Sequence, residues 1–183
     1  MNRVRVFVGC SLDGFIAGPN DDLSWLVSPP QEGETPDDHG FSEFLAQVGA
    51  LLMGRRTYDI VAGFDGPWPY GERAVLVATH RPLLGTEHPV TAVAGSIDEL
   101  VRQAQAAAND LDVYLDGGIL TRQALDAHLI DELTITILPI VLGAGVPLFA
   151  GLSHYHRLEL ISERQVGEGF VQITYRPRRP EAT

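Results

Sequence analysis

Three short segments of this sequence combine glycine, arginine and hydroxyl side chains directly after apolar runs, a composition suited to binding a phosphorylated ligand. They are residues 54–57 (GRRT), 79–81 (THR) and 116–118 (DGG). Glycine lets a ligand approach the backbone closely, the N–H groups at a helix start attract anions, and arginine adds charge-assisted hydrogen bonds. Each segment alone is better explained by a turn or a solvated charge. Together they favour a pyrophosphate held between two glycine-opened helix starts.

The predicted elements around these segments would bring them to one edge of a sheet. The strands are predicted at 4–12, 50–54, 74–79, 90–95, 112–116 and 131–142, the helices at 41–50, 57–64, 96–109 and 119–129, and a hairpin at 157–177. Strands that alternate with helices and then end in a hairpin indicate an α/β fold with a mainly parallel sheet and an antiparallel C-terminal edge. Ligands of such sheets bind beyond the carboxyl ends of the strands, where the three segments begin.

The remainder of the chain is predicted to add a long loop and a tail to one domain. A chain of 183 residues is long enough for one proper core, so residues 1–183 are interpreted as a single domain. The Gly-, Pro- and Asp-rich stretch 13–38 is predicted to be a functional or mobile loop. Residues 177–183 are predicted to be a frayed tail.

Charge and composition exclude several classes of function. The formal net charge of −11 argues against nucleic acid or an anionic membrane surface, since both attract basic proteins. The chain has no lysine, which excludes Schiff-base chemistry and a Walker A phosphate loop. A single cysteine and an N-terminus without a signal-peptide pattern indicate a cytoplasmic protein. His154 and His156 bracket Tyr155, but no carboxylate or cysteine cluster joins them in the sequence, so no metal site is predicted.

The usual dinucleotide fingerprint is missing from the sequence. No G-x-G-x-x-G follows the first predicted strand, and in "VLGAGVPLF" at 141–149 Pro147 prevents the helix that should come next. A dinucleotide, if one binds, is therefore not expected to bind in the Rossmann manner.

Five motifs in order resemble the dihydrofolate reductase-like superfamily. They are "SLDGFIAG", "LLMGRRTY", "VATHR", "VYLDGGILTRQAL" and "IDELTITILPIVLGAGVPLF". The resemblance is closest to the reductase domain that forms the C-terminal half of bifunctional riboflavin-biosynthesis proteins, including its stand-alone members. It spans about residues 4–176 and implies a three-layer fold, NADPH as cofactor, hydride transfer to a pyrimidine- or pterin-like heterocycle, and a homodimer. The zinc deaminase signature of the bifunctional proteins is absent, so deamination is excluded.

The resemblance also implies roles for individual residues. The expected cofactor contacts are the first phosphate-binding turn, the strand end that holds the adenosine ribose and its 2′-phosphate, and the glycine pair beside the nicotinamide. These are, in that order, Gly54, Arg55 and Thr57; Thr79, His80 and Arg81; and Gly117 and Gly118 with Ile119, Leu120 and Thr121. Ser11 and Asp13 are expected where substrate and nicotinamide ribose meet, and Trp25 on a lid. Arg56 is expected to point elsewhere.

Several alternatives stay open at this stage. The candidate proton donors are Asp13, Asp38 and Glu43, with water as the default; Asp13 is equally explained as a turn residue, and the other two as solvated helix-start acids. Trp25 is equally explained as a loop anchor. Asp116 could touch substrate or cap its helix. A dihydrofolate or pteridine reductase, or a binding module without turnover, remains possible, and the apolar stretch 132–149 is expected to contribute to a dimer interface.

Overall fold

The computed structural model describes residues 2–26, 38–83, 88–167 and 169–179. Within these ranges the strands are β1 Val4–Ser11, β2 Phe15–Ala17, β3 Val48–Gly54, β4 Ala74–Ala78, β5 Val90–Val93, β6 Asp112–Asp116, β7 Glu132–Leu138, β8 Val146–Pro147, β9 Leu158–Val166 and β10 Phe170–Pro177. The helices are α1 Phe41–Leu45, α2 Arg55–Val61, α3 Ile97–Ala107 and α4 Gly118–Asp126, and a short 3-10 helix covers Pro19–Asp21.

One eight-stranded sheet runs through the molecule in the order β5-β4-β3-β6-β1-β7-β10-β9. The six strands from β5 to β7 are parallel, and β10 pairs antiparallel with both β7 and β9. The predicted α/β class, the mainly parallel sheet and the antiparallel C-terminal hairpin are therefore confirmed. From β1 the chain moves through β3 and β4 to the edge strand β5, and it then returns to β6 and moves on to β7 in the opposite direction. The connections after the neighbouring strands β3 and β6 therefore run in opposite directions, and a crevice is expected between them.

Helices cover both faces of the sheet, so the molecule has three layers. One face packs against α3 and α4 through a cluster that includes Leu52, Leu115 and Leu133, all fully buried. The opposite face packs against α1 and α2 around Met53 and Tyr114. Strands covered on both faces are continuous apolar runs rather than alternating ones, which explains the sequence of β3.

The structure corrects the predicted boundaries in the first half of the chain. The helix predicted at 41–50 ends at Leu45, and Val48 already belongs to β3. Pairing of β3 with strands on both sides overrides the helical spacing of Phe41, Phe44 and Val48. The loop predicted at 13–38 contains a strand, β2, which pairs with β8. Residues 27–37 of this loop lie outside the described ranges.

In the second half of the chain, the observed boundaries differ from the predicted ones in two places. The strand predicted at 131–142 ends at Leu138, directly before Pro139, and the chain returns to extended structure only at Val146. The tail predicted from residue 177 begins later, because Pro177 is buried in β10 and the Arg178 N–H donates to the Arg157 carbonyl at 2.8 Å. Residues 180–183 lie outside the described ranges. Among the helices that the structure describes, none is long and apolar enough to cross a membrane.

Candidate functional site

A cavity of about 570 Å³ opens at the carboxyl ends of β1, β3 and β6. A volume of this size is typical of a pocket for a small molecule or cofactor. Its walls come from the first turns of α2 and α4, from the segment that follows β1, and from β8. The strand order places the cavity at the point where the chain reverses direction, as is common for ligand sites of α/β sheets.

Two glycines open the helices at this cavity, as predicted. A Cβ atom built on Gly54 would have no protein atom within 4 Å, so open space lies over this backbone position. Gly117 has φ +94°, and a Cβ there would lie 2.5 Å from Thr57 Oγ1. Gly117 and Thr57 are therefore in close contact across the crevice, which brings the starts of α2 and α4 together.

The first turn of α4 divides its side chains between cavity and core. Ile119 is 64% exposed, and it lines the cavity together with the buried side chain of Leu120. Thr121 is only 1% exposed and does not line the cavity, while its N–H donates to the Gly117 carbonyl at 3.0 Å. The expected contact with a cofactor is therefore not available to the Thr121 side chain.

Aromatic side chains form the wall of the cavity on the α2 side. Phe7, Tyr70 and Tyr114 line it, and the Tyr114 hydroxyl donates to the Phe7 carbonyl at 2.9 Å. Rings of this kind offer flat apolar surfaces against which a planar heterocycle can pack. Burial raises the pKa of both tyrosines above its ordinary value, so both hydroxyls stay protonated at neutral pH.

Asp116 is the acidic group that distinguishes this cavity. It ends β6, lines the cavity beside Tyr114, and accepts a 2.7 Å hydrogen bond from the Gly117 N–H. Burial raises the pKa of its carboxyl to about 6, although the Gly117 N–H and the Tyr114 hydroxyl each lower it. A carboxyl with a pKa near neutrality is suited to general acid catalysis. The sequence leaves the role of Asp116 open, because its burial and its proximity to Tyr70, which is distant in sequence, are tertiary properties.

The arginines after β3 are engaged with protein groups. The Arg55 guanidinium donates to Asp59 Oδ1 at 2.7 Å and to the Pro82 carbonyl at 3.1 Å. Arg56 lines the cavity and forms a two-point ion pair with Asp21, both contacts being 2.7 Å. The expectation that Arg56 points elsewhere is wrong, because Arg56 lines the cavity, as Arg55 does. The pair of Arg56 with Asp21 holds the segment after β2 against the start of α2.

The segment after β4 lies beside the cavity at its rim. Ala78 lines the cavity and pairs in register with Gly54. Thr79 Oγ1 accepts a 3.0 Å hydrogen bond from the Arg81 N–H, and His80 and Arg81 are exposed. Arg81 has no ion pair with any residue in the described ranges, so its guanidinium is available to a ligand.

Asp13 and Ser11 form a loop anchor rather than a wall of the cavity. The Ser11 hydroxyl donates to Asp13 Oδ1 at 2.7 Å, and the Leu142 and Gly143 N–H groups donate to the same carboxylate at 3.1 and 2.7 Å. The Ser11 hydroxyl, followed by these N–H groups, lowers the pKa of Asp13. A carboxylate stabilised in this way is a poor proton donor. The turn-residue interpretation of Asp13 fits this geometry, and the proposed catalytic role does not.

The other two candidate acids and Trp25 lie outside the lining of the cavity. Asp38 accepts hydrogen bonds from the Gly40 and Ser42 N–H groups at 2.9 and 2.8 Å, which makes it an anchor at the start of α1. Its hydrogen bonds with Ser42 lower its pKa. Glu43 is exposed on α1. Trp25 donates from Nε1 to the Asp22 carbonyl at 3.0 Å, so it acts as a loop anchor, while its neighbours Leu23 and Leu26 line the cavity.

The wall opposite the aromatic rings is built from two segments that are distant in sequence. Ile16 and Ala17 of β2 and Val146 of β8 line the cavity and come from an antiparallel strand pair. Arg122 of α4 supports this wall by donating from Nη1 to the Pro147 carbonyl at 2.6 Å. Sequence reasoning missed this wall because strands of two or three residues have no detectable periodicity.

Known proteins share this fold over nearly the whole chain. The RibD C-terminal domain model matches residues 2–172. The uncharacterized protein YwjB of Bacillus subtilis (strain 168) is 30% identical over 177 residues, which cover 94% of this chain and 97% of YwjB. The crystal structure of a candidate riboflavin biosynthesis protein from Shewanella sp. PV-4 is 36% identical, with a TM-score of 0.85, and the match covers 97% of this chain and 99% of that one.

A more distant structure shows the same fold within a longer protein. The diaminohydroxyphosphoribosylaminopyrimidine deaminase/5-amino-6-(5-phosphoribosylamino)uracil reductase of Thermotoga maritima is 16% identical with a TM-score of 0.71. The match covers 97% of this chain and 57% of that one. The predicted resemblance to riboflavin-type reductases is confirmed by these matches. Since the family model spans nearly all of its length, the chain belongs to the RibD C-terminal domain family.

Proposed function

We propose that this protein is an NADPH-dependent reductase that transfers a hydride to a pyrimidine- or pterin-like heterocycle, as a 5-amino-6-(5-phosphoribosylamino)uracil reductase does. Membership of the family and the likeness to the Shewanella sp. PV-4 protein support a reductase-like role. The observation that carries the proposal is the cavity itself, which joins two glycine-opened helix starts to an aromatic wall and a carboxyl of raised pKa.

The residues around the cavity fit a dinucleotide phosphate. Open space above Gly54 lets a phosphate oxygen reach the backbone, and the Thr57 hydroxyl lies beside Gly117 at the start of the other helix. The free N–H groups in the first turn of α4 add the donors that anions prefer. Gly54, Thr57, Gly117 and Gly118 would hold the cofactor, with Ile119 and Leu120 in apolar contact.

Arg81 is the residue we assign to the 2′-phosphate that separates NADPH from NADH. Its exposed guanidinium is unpaired within the described ranges and follows the strand next to Gly54. Arg55 already donates to Asp59 and to the Pro82 carbonyl. We therefore assign Arg55 the role of holding the segment that carries Thr79, His80 and Arg81, rather than direct binding of phosphate.

Asp116 is the residue we assign as proton donor. When bound, NADPH supplies a hydride, and reduction of a C=N bond then requires one proton at nitrogen. With a pKa of about 6, Asp116 is partly protonated near neutral pH and faces the cavity. Tyr114 and Tyr70 shield the Asp116 carboxyl from water on one side, and the Gly117 N–H fixes the position of its Oδ1 atom. Asp38 and Glu43 lie outside the cavity, which disfavours a dihydrofolate reductase built on a carboxylate of α1.

We also propose that the protein is a cytoplasmic homodimer, but on other grounds than the apolar stretch 132–149. Leu133, Leu138 and Leu148 of that stretch are buried within the subunit, while Val141 is 67% exposed. Leu160 and Ile161 of β9 and Val171 of β10 are instead 41–52% exposed at the edge of the sheet. A second copy covering this face would bury them, and it would remove the unpaired edge of β9 from solvent.

Two measurements test the function. Binding is measured by titrating NADPH and NADH against intrinsic fluorescence, and turnover by loss of reduced-nicotinamide absorbance with a panel of pyrimidine and pterin acceptors. We expect tighter binding of NADPH and turnover with at least one acceptor. Equal affinity for the two cofactors would contradict the cofactor assignment, whereas NADPH binding without turnover on any acceptor would indicate a binding module.

A further inference from the structure

Three of the six histidines of the chain meet at the end of α4 that lies away from the cavity. The ring centroids of His154 and His156 are 4.3 Å apart, and the His128 ring lies 5.7 and 5.6 Å from them. Asp126, the last residue of α4, adds a carboxylate to this group. The folded chain thus joins an Asp-x-His pair to a His-x-His pair about 30 residues later.

The geometry of the group is close to that of a metal site. One ligand atom each from Asp126, His154 and His156 lies within 4.8 Å of the other two. His156 Nε2 is 2.9 Å and His154 Nδ1 is 3.7 Å from Asp126 Oδ1. Tetrahedral zinc with bonds of about 2.0–2.1 Å needs ligand atoms roughly 3.3 Å apart, a separation that these two distances bracket.

Hydrogen bonding within the loop explains only part of this arrangement. Asp126 accepts from the Ser153 N–H at 3.0 Å and bonds to His156, which is enough to anchor the segment before β9. The Ser153 hydroxyl also bonds to His154 Nδ1 at 2.8 Å, but these contacts do not account for the His128 ring beside the other two imidazoles. His128 has φ +55° at the helix end, a conformation in which glycine or asparagine would be less strained.

We propose that Asp126, His154 and His156 bind a divalent transition-metal ion, with zinc as the expected metal. Two imidazoles and one carboxylate form a donor set that zinc accepts readily. The nearby His128 ring is a candidate for a fourth ligand. Residues 121–125 of α4 separate Leu120, which lines the cavity, from Asp126, about 9 Å along the helix axis. The ion would therefore join α4 to the segment before β9 and stay clear of bound cofactor.

The test uses the full chain freed of any affinity tag and stripped with a chelator. Zinc is titrated in competition with a chromophoric chelator, and thermal unfolding is followed with and without zinc. We expect about one equivalent bound with micromolar or tighter affinity, and a rise in Tm when zinc is present. His154→Ala, at a side chain that is 46% exposed, should weaken zinc binding at least about tenfold without unfolding the protein.

His80→Ala is the matched control, because His80 is an exposed histidine outside the group. It should bind zinc as the wild type does. His156→Gln serves as a second variant that keeps a hydrogen-bonding group for Asp126 while removing the imidazole. The proposal is overturned if the wild type binds well below one equivalent, if His154→Ala binds as tightly as the wild type, or if His80→Ala removes the bound zinc.

Discussion

Replacing Asp116 by asparagine should make the protein more stable and less active at neutral pH. The amide keeps the shape of the side chain and an oxygen that can accept from the Gly117 N–H. The amide also removes the negative charge of the carboxylate, which is unfavourable in a buried position. A carboxylate retained only for structure would behave in the opposite way, since its replacement would weaken the fold.

The magnitude follows from the pKa. The pKa of Asp116 is raised from 3.8 to about 6 in the folded protein, so the folded state binds more protons than the unfolded state between these values. Stability contributed by this group is therefore present below about pH 4 and is lost as pH rises through 6. A shift of about two units corresponds to roughly 3 kcal/mol of destabilisation at pH 7.5. The Asp116→Asn variant should match the wild type near pH 4 and exceed it by about 1–3 kcal/mol above pH 7.

The assay is urea denaturation of wild type and variant across pH, together with kcat measured over the same range. Wild-type kcat should fall as pH rises above about 6, whereas the variant should lose about 10²–10⁴-fold and show no such decline. Asp13→Asn is the matched control: the pKa of Asp13 is lowered, so its loss should destabilise the protein at neutral pH. An Asp116→Asn protein that is less stable than wild type at pH 7.5, or that keeps full activity, refutes the assignment.

Four further outcomes test the rest of the site and the assembly. Gly54→Ala should change stability by less than about 0.5 kcal/mol, because φ is −74° and the added methyl meets open space, yet it should weaken NADPH binding in a fluorescence titration. Gly117→Ala should cost about 1–3 kcal/mol in denaturation experiments as well, because its methyl would collide with Thr57 at a positive φ. Arg81→Ala should weaken NADPH about ten- to a hundredfold and leave NADH nearly unchanged, whereas Arg56→Ala should affect both cofactors alike. Light scattering should give twice the mass of the chain; a monomer at micromolar concentration would contradict the proposed dimer.

The fold was predictable because its signals are local. Buried parallel strands are continuous apolar runs, and the capping box formed by Ser96 and Glu99 at the start of α3 can be recognised from two residues. Gly54 and Gly117 were predictable as cavity residues for the same reason, since each follows a strand and precedes a helix. Their neighbourhood then followed from the parallel sheet.

The chemistry of individual side chains was less predictable because it depends on contacts from elsewhere in the chain. Asp13 follows β1 and Asp116 ends β6, so both stand at the end of an apolar run. The Ser11 hydroxyl, followed by N–H groups about 130 residues away, lowers the pKa of Asp13, whereas burial raises the pKa of Asp116. The same limit explains why His154 and His156 gave no metal prediction, since Asp126 joins them only in the folded chain.

The pairing of β2 with β8 has a consequence for how the protein is made. The cavity wall that contains Ala17 and Val146 cannot form until β8 has left the ribosome, which happens after all the parallel strands have been synthesised. A nascent chain that ends before β8 would carry Gly54, Thr57 and Gly117 but no enclosed pocket. The proposed cofactor would therefore stabilise only chains that have completed the parallel sheet, and not the early stages of synthesis.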